Sequence, residues 1–231
     1  MLKKRIENYI NKTKNTNFLF DKSISSTLII SFVLSKVFSL FRSLKIMSIT
    51  KLSKVVFLGK SVSFFNKKNI TLGNNINIGD FVRMSALGKG SLVLGDNVNI
   101  GSFSQIVIST TFNNPGEFIN IGNNVGIGEF AYIGGAGGVE IGNDTIIGQY
   151  FSTHPENHNY EKLDLLIRDQ GVNRQGIKVG SNCWIGSKVT ILDGVTIGNN
   201  CVIAAGAVVT KSFSDSVIIG GIPAKILKKL N

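Results

Sequence analysis

VGSNCW IGSKVT ILDGVT IGNNCV IAAGAV, residues 179–208, divides into five consecutive blocks of six in one phase. Every block opens on valine or isoleucine, most continue with glycine, and the fifth position holds Cys, Val or Ala. The same phase recurs upstream in LGNNIN–IGDFVR (72–83), LGDNVN–IGSFSQ (94–105), IGNNVG–IGEFAY (121–132) and IGNDTI–IGQYFS (141–152). A period of six is neither the 3.6 of a helix nor the 2 of a lone strand. It describes a short strand, a corner and another strand. The opening aliphatic and the small fifth residue point inward, and the Gly–Asn steps turn the chain. Such units bury their apolar face only by stacking on one another, which predicts a parallel β-helix.

These repeats resemble those of the left-handed β-helix acyltransferases, and the resemblance implies that three blocks make a coil of 18 residues. Coil starts at 72, 94, 121, 141, 179 and 197 are spaced by 22, 27, 20, 38 and 18 residues, so insertions of 4, 9, 2, 20 and 0 are expected. Counting in sixes puts the largest at about 159–178, directly after THPENHNY (153–160), the stretch that holds both histidines. Long excursions from a repeat scaffold are where function tends to collect. Cys183 and Cys201 lie 18 apart at one inward position and read as stacked core residues, not a disulfide. With no CxxC spacing, they fit a reducing compartment.

The net charge of +11 is unevenly placed: residues 1–68 hold 14 Lys/Arg against Glu7 and Asp21, while 69–231 balance to −1. This excludes a nucleic-acid-binding core and divides the chain into a basic, partly helical N-terminal segment (1–68) and a β-helix domain (69–231). STLIISFVLSKVFSLFRSLKI (26–46) reads as a very apolar helix interrupted by Lys36, Arg42 and Lys45. It either lies in a membrane interface through residues 1–50, its cations near anionic headgroups, or covers the open edge of the first coil. No signal-peptide pattern stands at the N-terminus, and the uncharged run Ser23–Ser35, 13 residues, is too short to span a bilayer. The expectation is a cytoplasmic protein with peripheral contact at the inner face of the membrane. IPAKILKKL (222–230) reads as a short cationic tail.

From about residue 70 to 227 the repeats resemble the left-handed β-helix, hexapeptide-repeat acyltransferases, among them the sugar and xenobiotic acetyltransferases of the maltose and galactoside type. CWIGSKVTILDGVTIGNNCVIAAGAVVTK (183–211) is similar to their coenzyme A-binding coils. The resemblance implies a homotrimer with sites between adjacent prisms, acetyl-CoA as co-substrate, a carbohydrate acceptor and direct transfer in a ternary complex. It also implies that Trp184 lines the acceptor and thioester region. Ser187, Ala205 and Gly206 would offer backbone groups to the pantetheine arm. Thr210 and Lys211 would meet the nucleotide end, with Lys225 and Lys228 where relatives often carry arginine. ENHNY…DLLIRDQGVNRQGIKVG resembles a subgroup that modifies bacterial surface polysaccharides (capsule, O-antigen or exopolysaccharide).

A neutral imidazole is suited to taking a proton from a hydroxyl near pH 7. Two histidines are too few for a three-histidine zinc site, so no metal is expected. Counted from Ile141, the third block is THPENH, which His158 closes. In relatives the catalytic histidine closes that block, which favours His158. A THP string also marks the catalytic residue in some relatives, which keeps His154 as runner-up. Relatives' sugar-binding Asn and Asp correspond to Gly128 and Ala136, so their acceptor does not carry over. Glu156, Asn157, Tyr160, Arg168 and Arg174, with Glu129 and Asp164, are the acceptor-side candidates. The expected activity is O-acetylation of a sugar hydroxyl in surface-polysaccharide synthesis. The alternatives are an N-acetyltransferase of an amino sugar, a xenobiotic or antibiotic acetyltransferase, and a non-catalytic scaffold.

Overall fold

The computed structural model describes residues 2–14, 17–46 and 54–230. Short strands of 2–6 residues wind into three parallel sheets that form the faces of a prism. The first face runs from Val56–Leu58 to Val217–Gly221. The second runs from Ser63–Phe65 to Val208–Val209, and the third from Ile70–Leu72 to Thr196–Ile197.

The six expected coil starts form one inward ladder on the third face, Leu72–Leu94–Ile121–Ile141–Val179–Ile197. Parallel ladders run through Leu58, Ile78 and Ile100 on the first face and through Met84, Ile106 and Ile133 on the second. All are buried in one continuous core that also contains Cys183 and Cys201, both free thiols. Burial pushes the Cys183 thiol above its usual range. Because each rung contacts only the rungs beside it, truncation leaves a hole that neighbouring coils cannot close. Ile100→Ala is expected to cost about 2–5 kcal/mol, read as a lowered unfolding midpoint.

The corner between third and first faces is turned by Asn75, Asn97, Asn124, Asp144, Asn182 and Asn200, all at φ 54–59°. Asparagine tolerates this left-handed geometry, and its amide donates to the next coil, as from Asn97 Nδ2 to Asn124 Oδ1 at 2.9 Å. The corner between first and second faces instead places Phe81, Phe103, Phe130 and Tyr150 at φ 57–62°. Their rings stack at 5.0–5.1 Å, a contact that helps offset a backbone angle unusual for bulky residues.

Two boundaries differ from expectation. The prism begins at Val56, not 69, because Val56–Leu58 pairs with Ile76–Ile78 and Ser63–Phe65 with Arg83–Ser85. That first coil opens on a single block of the same phase, LGKSVS (58–63), and turns at Ser61 and Asn66, but FFNKKN (64–69) breaks the pattern before Leu72. The C-terminal segment is no loose tail: Ala224–Lys229 pairs antiparallel with Val217–Gly221 and finishes the first face. At the other end lie two helices, α1 (Leu2–Lys14) and α2 (Ser26–Ser43), followed by a 3-10 turn at Leu44–Ile46. Helix α2 covers the first strand, where the Ser39 hydroxyl and Arg42 Nε donate to the Leu58 carbonyl at 2.8 and 2.7 Å.

Every surplus residue leaves the prism at one edge, between second and third faces. Strands that end at Ser85, Val107, Gly134 and His154 resume at Leu92, Ile119, Val139 and Ile177. This single edge gathers the loops.

Candidate active site

Gly138, Gly176 and Gly194 occupy equivalent places at that edge, at φ 92°, 89° and 78°. Each precedes an inward aliphatic: Val139 pairs with Ile177, and Lys178 N donates to Val195 O. A side chain at Gly176 would collide with the Gly137 carbonyl at 2.7 Å, so glycine is required by backbone approach as well as by φ. These glycines fix the path of the interrupted block. It consists of Thr153-His154-Pro155, then the insertion 156–175, then Gly176-Ile177-Lys178. The insertion therefore enters in mid-block and not at 159.

This overturns the phase argument for His158. Asn157 and His158 lie outside the prism and pair antiparallel with Asn173 and Val172. His158 is exposed there, beside a broad polar depression of about 730 Å³ shared with Tyr160, Lys162 and Gln170. Counting in sixes failed because the insertion splits the block after its third residue. The strings GVEIG, GIKVG and GVTIG (138–142, 176–180 and 194–198) carried the correct alignment.

His154 ends a strand of the prism itself, in register with Leu192 of the next coil. Its neighbour Thr153 points inward and donates its hydroxyl to the Gly134 carbonyl at 3.2 Å, which anchors the strand. The Tyr132 ring stacks on the imidazole at 5.7 Å between centroids and 25° between planes. Together with Gly134, Ala136, Pro155 and Glu156 they surround a cavity of about 130 Å³. Partial burial lowers the His154 pKa below the ordinary histidine value, so the imidazole is neutral at pH 7 and can accept a proton.

The loops beside His154 are held by one charged clamp. Arg174 Nε and Nη2 both lie 2.6 Å from Glu156 Oε2. Its Nη1 donates to Asn114 Oδ1 and the Pro115 carbonyl at 3.1 Å, and its Nη2 to the Asn114 carbonyl at 3.2 Å. With side chains only 14% and 28% exposed, Arg174 and Glu156 tie the large insertion to the smaller one. Both were acceptor candidates; the structure makes them partners of each other. Asp193 accepts from the backbone amides of Gln175 and Gly176 at 2.9 and 2.8 Å and from Asn157 Nδ2 at 3.4 Å, which closes the insertion's return. Tyr160, Asp164 and Arg168 stand exposed on the insertion.

The other expected residues fall into two groups. Thr210 follows Val209, which pairs with Ile191, so Thr210 and Lys211 lie farther along the His154 edge. Lys211 Nζ sits 5.8 Å from the Phe213 ring centroid. Trp184, 60% exposed, projects from the first face between Ile146 and Val202, a different face from His154. Ser187, Ala205 and Gly206 turn the corner that bears the aromatic stack, where Ser187 Oγ donates to Gln149 Oε1 at 2.8 Å. Lys225 and Lys228 are exposed on the final strand. One prism does not bring Trp184 to His154. Tyr132, Asn114 and Asp193 went unnoticed in the sequence. Tyr132 alone had a signal, because Ser152, one coil on, is its ladder partner. Among the described residues no group of three His, Cys, Asp or Glu is placed to hold a metal.

Residues 176–211 match the bacterial transferase hexapeptide (six repeats) family. A probable acetyltransferase of Mycobacterium tuberculosis is 36% identical over 90 residues, which cover 39% of this chain and 30% of that protein. The putative lipopolysaccharide biosynthesis O-acetyl transferase WbbJ of Escherichia coli is 27% identical over 173 residues, covering 72% of this chain and 74% of that one. A crystal structure of a mutant of the N-acyltransferase AntD from Bacillus cereus, in complex with dTDP and coenzyme A, superposes with TM-score 0.48. That pair is 20% identical over 78% of this chain and 83% of the other. The β-ladders run continuously through 176–211, the residues that match the hexapeptide family, and the same parallel-sheet prism extends on both sides of them.

Proposed function

We propose that the protein is an acetyl-CoA-dependent acetyltransferase, and more narrowly an O-acetyltransferase of a sugar hydroxyl in bacterial surface-polysaccharide synthesis. The observation that carries this reading is His154. It is a neutral imidazole on the rigid prism, stacked on Tyr132 at the edge where the insertions gather. His154 takes the proton of the acceptor hydroxyl as that oxygen attacks the thioester carbonyl carbon. Collapse of the tetrahedral intermediate breaks the C–S bond. The imidazolium then returns its proton to the departing thiolate, leaving the acetyl ester and free coenzyme A. No acyl-enzyme is formed, and alignment of the bound pair supplies much of the acceleration.

Lys211, beyond His154 on the same edge, supplies a cation for the nucleotide phosphates, with Thr210 beside it. Trp184, Ser187, Ala205 and Gly206 contribute from an adjacent prism of a cyclic trimer, because within one chain they face away from His154. Lys225 and Lys228 lie at the prism end beyond them. The name of the E. coli relative supports the polysaccharide acceptor.

Acetyl-CoA at about 100 times its Kd is expected to stabilise the native protein by about 2.7 kcal/mol, read as a raised unfolding midpoint. Lys211→Glu is expected to shrink that rise. Absence of any shift with acetyl-CoA or coenzyme A leaves only the non-catalytic scaffold. Turnover with nucleotide sugars, lipid-linked oligosaccharides and polymers then identifies the acceptor, and product formation only on amino sugars replaces the O-acetyl reading.

A further inference from the structure

Helix α2 packs the wrong way round for an ordinary end-cap. Its contact with the prism is made by Ser39, Arg42 and Lys36, whose Nζ donates to Asn77 Oδ1 at 2.7 Å. Its large apolar side chains face outward instead: Leu34, Val37, Phe38, Leu40 and Phe41 are all exposed, Phe38 at 60% and Phe41 at 65%. A soluble helix buries its apolar stripe and shows its charges to water. Here the polar groups are spent on the Leu58 carbonyl and on Asn77, so the apolar stripe remains for another apolar phase.

We propose that this outward face of α2 docks the protein on the surface of an anionic lipid bilayer. Charge selects that occupant. Lys4, Arg5 and Lys12 of α1, with Lys22 and Lys45 just beyond the two ends of α2, are exposed. The only acidic residues among 1–68 are Glu7 and Asp21. Glu7 accepts from the Phe20 amide at 2.9 Å and Asp21 from the Ser23 hydroxyl at 2.6 Å, so each carboxylate is turned to a local partner. Apolar insertion beside unopposed cations is the pattern of an interfacial helix on anionic headgroups.

Between α1 and α2 an apolar cavity of about 500 Å³, lined by Ile6, Phe18, Phe20, Ile29, Phe32 and Val33, offers acyl chains a further place to enter. The run Ser26–Ile46, 21 residues at mean hydropathy 1.6, is long and apolar enough by length and composition to cross a bilayer. The bonds from Lys36, Ser39 and Arg42 to the prism favour a helix lying flat, because crossing would break them.

Gradient flotation of the whole chain tests this without requiring turnover, so its outcome is independent of the proposed activity. The wild type is expected to float with phosphatidylcholine vesicles containing about 30 mol % phosphatidylglycerol and to float much less with phosphatidylcholine alone. Phe38→Asp with Phe41→Asp is expected to lower the bound fraction at least about tenfold with no fall in unfolding midpoint. Lys4→Glu with Arg5→Glu is expected to weaken binding to the anionic vesicles only. Three results would overturn the proposal. The wild type fails to float with either vesicle, or the Phe38/Phe41 variant floats as well as wild type while dissociating an oligomer in lipid-free buffer. The third is wild type that resists extraction by alkaline carbonate, which marks a helix that spans.

Discussion

His154→Ala is expected to lower kcat/KM for acetyl transfer by about 10²- to 10⁴-fold, the range of a lost general base. His158→Ala is expected to stay within about twofold of wild type. The imidazole is on the outer side of its strand, whose fold is anchored by Thr153, so the substitution leaves the core intact. Comparable unfolding midpoints for both variants would establish that the loss is chemical. The reverse ranking would place the base in the loop hairpin and refute the site.

The pH dependence carries a sign. Burial disfavours the charged imidazole, so the His154 pKa lies below the ordinary value and the base stays competent on the acid side of it. The acid limb of kcat/KM against pH is therefore expected below about pH 6.5, the unperturbed histidine value. An acid limb above that value would require the base to be stabilised in its charged form, which the surroundings of His154 do not do.

Arg174→Ala should produce the second large effect. The guanidinium holds Glu156, two residues from His154, and at the same time the Asn114–Pro115 segment of another coil. Removing it leaves Glu156 without its ionic partner and frees two insertions that border the site. A displacement on the order of 1 Å of groups near the reacting atoms costs roughly 100-fold, so kcat/KM is expected to fall about 10- to 100-fold. Most of the loss should be in kcat, with acetyl-CoA stabilisation retained. Arg174→Lys should recover little, because a point charge cannot reproduce the fork that spans Glu156, Asn114 and Pro115. Wild-type kinetics in Arg174→Ala would show that the clamp has no part in shaping the site.

The difference between the two histidines shows how far local pattern reaches. Leu72, Leu94, Ile121, Ile141, Val179 and Ile197 could be aligned from spacing alone, because each must point into the same narrow core. His158 was favoured by the same count, and the count failed where burial stopped constraining the chain. Gly176 marks where it resumes, a backbone requirement visible in the sequence only when set beside Gly138 and Gly194. Glu156 and Arg174 are separate acceptor-side candidates in the sequence; only the folded chain pairs them and brings Arg174 to Asn114, 60 positions away.

The six-residue period by itself determined the β-helix, its ladders, the asparagine corner and the buried, unpaired cysteines. These follow from a rule that each short strand meets locally: apolar inward, left-handed at the turn. Only the tertiary structure decided that every surplus residue exits at one edge, that His154 rather than His158 stands on the prism, and that α2 turns its apolar side outward. Those outcomes depend on contacts between residues far apart in the chain, with alternatives of similar local energy, and no repeat encodes them.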